Sequence, residues 1–157
     1  MSSIRSVAVK LPHTSLPDAD WADCFEVDIN DRRLTAMEAA RLSIGRMPGW
    51  VRRLMALRNF LGRFVGLKTG SEPAPPPRED RVGMFPVLSR SATEVVLGED
   101  DWHLDFRLVI EVADLGTGTR LKATTLVRRK NRFGRFYIGL VTPFHKMIVP
   151  VALRGAA

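Results

Sequence analysis

The sequence predicts an α+β domain in which a curved antiparallel sheet wraps around a long C-terminal helix, with two short helices after the first strand. Three observations predict it. Apolar residues follow a helical period between residues 35 and 65, then alternate singly through residues 84–130. The last apolar stretch, Asn131 to Leu153, returns to spacings of three and four. A lone terminal helix must bury its apolar side, and a twisted antiparallel sheet supplies the surface.

Each element has its own warrant. Residues 1–20 contain Pro12 and Pro17 and little periodicity, so they form an extended N-terminal segment ahead of a single domain over residues 21–154. Residues 22–29 alternate as a strand, with Cys24, Glu26 and Asp28 on one side and Phe25, Val27 and Ile29 on the other. Thr35 and Glu38 make a capping box that starts a helix near residue 36. Met47-Pro48-Gly49 ends it, because Pro48 disfavours the helical state for Met47. A second helix follows to about Val65. Trp50, Leu54, Leu57, Leu61 and Phe64 share one arc, with Arg52 and Arg63 opposite. Core packing is the expected use of that arc; a membrane-surface helix is the alternative.

Residues 70–81 hold four of the ten prolines and no larger apolar side chain, which predicts a mobile loop with nothing to bury. Four strands are expected beyond it, over 84–90, 93–99, 101–113 and 119–130. In the third, Trp102, Leu104, Phe106, Leu108, Ile110 and Val112 form an apolar row. His103, Asp105, Arg107 and Glu111 share the other face with Val109. Within the terminal helix, Pro143 is expected to kink or interrupt the turn. His145 and Lys146 break its apolar run, so it is read as a buried helix and not as a membrane span.

Composition excludes several functions. The chain has 157 residues, of which 45% are apolar and 26% charged, so it is neither fibrous nor wholly disordered. One cysteine, Cys24, rules out an internal disulfide, and three histidines leave little for a metal centre. No metal and no cofactor are expected. The N-terminal stretch lacks an apolar core of signal length, so a cytoplasmic setting is expected. The net charge of +7 is unevenly spread. Residues 35–70 carry seven basic and one acidic side chain, and residues 120–157 carry nine basic and none acidic. Such segments suit nucleic acid, anionic lipid or an acidic partner. The base-reading motifs needed for specific nucleic-acid recognition are absent.

The order of elements is similar to the helix-grip fold of the START-like and birch-allergen-like superfamily. More specifically, ADCFEV at 22–27, PGWV at 48–51, ALRN at 56–59, FVGLKT at 64–69, HLDFR at 103–107, NRFGRFY at 131–137 and PFH at 143–145 resemble a bacterial domain-of-unknown-function family, number 2867. The resemblance spans nearly the whole chain. It implies a sheet wrapped on the last helix with a cavity between them, and a reductase-like neighbouring protein. It carries no catalytic residue.

The leading functional expectation is a non-enzymatic domain binding a small apolar ligand. Its cavity would be lined by Trp50, Leu54, Phe106, Leu108, Tyr137, Val141 and Phe144. The alternative is an interaction module for an anionic surface or a partner protein, working through Arg52, Arg53, Arg63, Arg128, Arg129, Lys130, Arg132 and Arg135. A weaker alternative is a small cyclase or hydrolase using His103, Asp105 or His145. An outward polar ladder is the favoured arrangement for His103, Asp105 and Arg107. His145, on the apolar side of the last helix, is expected to be a hydrogen-bonded core or rim residue.

Overall fold

A computed structural model describes residues 3–66, 81–83 and 85–157. The predicted loop over 70–81 therefore lies outside the described residues, except for Arg81. The strands are β1 (Ile4–Ser6), β2 (Trp21–Asn30), β3 (Arg81–Val82), β4 (Phe85–Arg90), β5 (Glu94–Asp100), β6 (Leu104–Asp114) and β7 (Gly118–Arg129). The helices are α1 (Ala36–Gly45), α2 (Gly49–Gly62) and α3 (Arg132–Arg154), with a 3-10 turn at Arg63–Val65. The strands form one antiparallel sheet in the order β1-β2-β7-β6-β5-β4-β3. The first long strand thus pairs with the last, and both α1 and α3 pack on the sheet. The architecture is α+β and consistent with a helix grip.

The N-terminal lead-in is extended and contributes an edge strand, β1, paired with Phe25–Val27 of β2. It then crosses the outer face of the sheet, where Leu16 is buried with Val96, Val109 and Leu126. Cys24 lies on this face, fully buried, and accepts a hydrogen bond from the Thr124 hydroxyl at 3.4 Å. Burial pushes its thiol pKa up, which leaves it a small apolar residue. Beyond the covered strip the outer face becomes an ionic ladder. Arg5 pairs with Glu26 at 2.9 Å and Asp28 at 3.2 Å, and Arg120 pairs with Asp28 at 2.7 Å. These guanidinium contacts hold the Asp28 carboxyl down at about 2.

The inner face carries the main core. Val27, Ile29, Val95, Leu97, Ile110, Leu121 and Ala123 of the sheet meet Ala36, Ala39, Ala40 and Ile44 of α1 and Leu153 of α3. The three alanines let α1 lie close against β5 and β6. Its capping box is complete: the Thr35 hydroxyl accepts from the Glu38 amide, and the Glu38 carboxylate accepts from the Thr35 amide at 2.8 Å.

Three helical expectations are corrected. The apolar arc of α2 is not core: Trp50, Leu57, Leu61 and Phe64 are exposed. The residues of α2 that turn inward are Val51 and Gly62, roughly a quarter-turn away from that arc. Pro143 does not interrupt α3, which runs unbroken through Pro143 and Pro150. Each proline removes one backbone donor, and near the first the Thr142 hydroxyl donates to the Ile138 carbonyl. Nor is α3 buried throughout. Phe136, Leu140, Phe144 and Met147 are exposed, while Ile138, Ala152 and Leu153 face the body.

The division of labour between α1 and α2 predicts a contrast. Leu97→Ala, in the main core, should lower the unfolding free energy by about 2–5 kcal/mol. Leu57→Ala on α2 should change it by no more than about 0.5 kcal/mol. Urea denaturation followed by circular dichroism distinguishes them, and equal losses would show α2 to be packed into the core.

Candidate functional site

The site is built at the corner where β6 begins and α3 begins. The Lys130 amide donates to the His103 carbonyl at 3.1 Å, which closes the end of the β6–β7 pair. Asn131 caps α3: its side-chain oxygen accepts from the Gly134 amide at 2.9 Å, and its side-chain nitrogen donates to the Trp102 carbonyl at 3.1 Å. A methyl group at Gly134 would overlap the His103 carbonyl oxygen, so glycine is what lets α3 approach this turn. The sequence Asn131-Arg132-Phe133-Gly134 thus encodes both a cap and a close approach.

Three aromatic rings enclose the His103 side chain. Tyr137 and Phe133 meet it edge-to-face at centroid distances of 5.0 and 5.5 Å, and Trp102 lies tilted at 5.3 Å. Trp102 also stacks on Phe133 at 4.9 Å. His103 is 1% exposed, and neither ring nitrogen has a hydrogen-bond partner among the described residues. The nearest acid is Asp101, whose carboxylate lies 3.8 Å from Nδ1. Burial lowers the imidazole pKa; Asp101 opposes the shift, and Arg58 and Lys130 add to it.

The same corner ties down α2. Arg58 Nε donates to the Tyr137 hydroxyl at 2.8 Å, and the guanidinium carbon lies 5.8 Å from the Tyr137 ring centre. Trp102 Nε1 lies 3.9 Å from where a Cβ on Gly66, just past the 3-10 turn, would stand. These contacts bring the middle of α2 against Tyr137 in the first turns of α3, and the end of the 3-10 turn against Trp102. On each helix the exposed apolar arc flanks the tie: Leu57, Phe60, Leu61 and Phe64 on one side, Phe136, Leu140 and Phe144 on the other.

The residues expected to line a cavity are divided by the fold. Leu108 packs into the main core, and Phe106 stacks edge-to-face on Phe85 at 5.4 Å. Tyr137 belongs to the corner with Leu104, Val127 and Ile138. Leu54 and Val141 are half-buried, and Trp50 and Phe144 are exposed. The cause is α1, which covers β5 and β6 and leaves α2 at the rim. Two shallow depressions lie elsewhere. One of about 220 Å³ is lined by Glu111, Arg120 and Lys122, and one of about 310 Å³ by Arg32, Arg33 and Gly116.

The polar row is also divided. His103 precedes the strand, so alternation does not govern it, and it is buried instead of facing solvent. Trp102, expected in the apolar row of the strand, likewise lies outside the strand and is half exposed, with its ring stacked on Phe133 of α3. Asp105 is on the outer face but buried instead of open to solvent, 2.7 Å from the Lys130 ammonium, and Arg107 pairs with Asp100 at 2.7 Å. His145 Nε2 lies 3.1 Å from Asp23 of β2, beside the Trp21 ring. His103, Asp105 and His145 therefore meet different partners in different places.

The basic set separates too. Arg128, Arg129 and Lys130 pair with Asp18, Asp20 and Asp105 respectively. Arg52, Arg53, Arg63, Arg132 and Arg135 are exposed and pair with no described acid. No signal in the sequence marked Arg58 as the tie between helices, because its partner Tyr137 is 79 residues away. Among the described residues no group of three His, Cys, Asp or Glu side chains is placed to hold a metal ion.

The family model described as "Protein of unknown function (DUF2867)" matches residues 15–152, and the chain belongs to that family. Comparison with curated proteins and with solved structures gives no match.

The His103 box predicts a pH dependence of stability. Its folded pKa lies below the ordinary value of 6.5, so the unfolded chain binds the proton more tightly. The stabilisation is complete above that value and is lost as pH falls towards the folded pKa. Unfolding free energies measured at neutral pH and at about pH 5 should differ less in His103→Phe than in the native chain. An unchanged difference would place the responsible proton elsewhere.

Proposed function

We propose that the chain is a binding module for an elongated apolar molecule, held along the exposed faces of α2 and α3. One observation carries the reading. Among the described residues, thirteen large apolar side chains are exposed, and nine of them lie on α2, the 3-10 turn and α3. Phe64 is 77% exposed and Phe136 67%. Soluble domains scatter such residues, and their concentration on neighbouring helices marks a binding surface. A ligand covering about 300 Å² of that apolar surface would gain roughly 7 kcal/mol at about 25 cal/mol per Å², before the costs of association.

The chemistry around this face supports binding over catalysis. The nearest imidazole, His103, is sealed behind Trp102, Phe133 and Tyr137. Arg58 and Tyr137 are the polar groups between the two apolar arcs. They suit a polar end group on the ligand, as the few oriented groups of an apolar site do. A reductase-like protein is the alternative occupant of the same face.

An uncharged environment-sensitive dye such as Nile red tests the reading. The native chain should bind it with enhanced emission. Leu57→Ser combined with Phe144→Ser should weaken binding about tenfold, the effect of losing roughly 1.4 kcal/mol. Unchanged affinity in that folded double variant would remove this face as the site.

A further inference from the structure

We infer that α2 and α3 dock on an anionic lipid bilayer, which presents the apolar chains these helices cover. The inference rests on the reading of this face as an apolar binding surface and names its partner.

Charge complementarity carries it. Neither helix, nor the 3-10 turn between Arg63 and Val65, contains an Asp or Glu. Six basic side chains share these helices and the turn: Arg53 at the edge of the α2 arc, Arg52 and Arg63 opposite it, and Arg132, Arg135 and Lys146 on α3. All six are exposed, and none pairs with a described acid. The basic residues of the sheet strands β1, β6 and β7 and of the turn after β7 behave differently: Arg5, Arg107, Arg120, Lys122, Arg128, Arg129 and Lys130 sit in ion pairs, whereas Lys10, Arg41 and Arg46 elsewhere are exposed and pair with no described acid. The placement of two of the six is also costly. Arg132 and Arg135 lie in the first turns of α3, where the helix dipole disfavours cations and no acid compensates. An anionic surface relieves that cost.

The apolar component selects a bilayer over other anionic partners. Aromatic and leucine side chains on one side of a helix, with arginine on the other, are the pattern of helices that lie in the headgroup boundary. Nucleic acid offers phosphates but no matching apolar layer. A second copy of this chain would bring arginine against arginine. By length and composition α3 is apolar enough to cross a membrane. Its buried residues Ile138, Ala152 and Leu153 are used against the protein body, so it lies on the surface instead.

Flotation of the full chain with vesicles tests this. Vesicles of phosphatidylglycerol mixed with phosphatidylcholine should carry the protein at low salt and release much of it at about 0.5 M salt. Pure phosphatidylcholine vesicles should bind at least about tenfold more weakly. Reversing Arg52, Arg53 and Arg135 to glutamate should weaken binding to the anionic vesicles about 100-fold or more. The same charge change at exposed Lys10 and Arg41, away from these helices, should cost far less. Equal binding to both vesicle types would overturn the inference. So would Nile red binding without vesicle binding, which leaves the apolar-surface reading standing. Loss of both signals would overturn both. A stable dimer that buries this face and excludes vesicles would assign it to a second copy.

Discussion

The His103 carbonyl is the pivot on which the two outer helices depend. It accepts the Lys130 amide at the end of the β6–β7 pair and admits α3 only because residue 134 is glycine. The imidazole on the same residue fills the space among Trp102, Phe133 and Tyr137. Tyr137 then receives Arg58 from α2. A short helix with no side-chain cap and little buried surface is marginal in water. The corner therefore supplies α2 with much of its positional restraint.

The two sides of the sheet solve different problems. The inner face is closed by α1 through small alanines and by the body-facing side of α3, around a core of packed apolar side chains. The outer face is covered by the N-terminal segment and then by paired charges. Both arrangements satisfy what they expose. The α2–α3 side leaves large apolar residues and unbalanced positive charge at the surface together. That contrast within one molecule gives the proposed binding face its weight.

Much of the fold was legible because it rests on local patterns. The capping box at Thr35 placed α1, alternation placed β2 and the four strands of the second half, and spacings of three and four placed α3. What was not legible rests on choices made in three dimensions. The arc of Trp50, Leu57, Leu61 and Phe64 has the same signature whether it faces a core or a solvent-exposed rim. Only the close seating of α1 decides that α2 is left outside. Alternation likewise assigned His103 to a solvent row, but the residue precedes the strand and follows the corner instead. The arginines of β7 and those of α2 and α3 look alike in sequence. They differ because Asp18, Asp20 and Asp105 arrive beside the first group.

The position of α2 depends most directly on its link to the corner through Arg58 and Tyr137. Hydrogen–deuterium exchange of the native chain and of Tyr137→Phe measures it. Loss of the Tyr137 hydroxyl should speed exchange across Gly49–Gly62 while the central strands β6 and β7 keep their protection. Unchanged exchange in α2, or loosening that begins in the sheet, would contradict the role assigned to this contact.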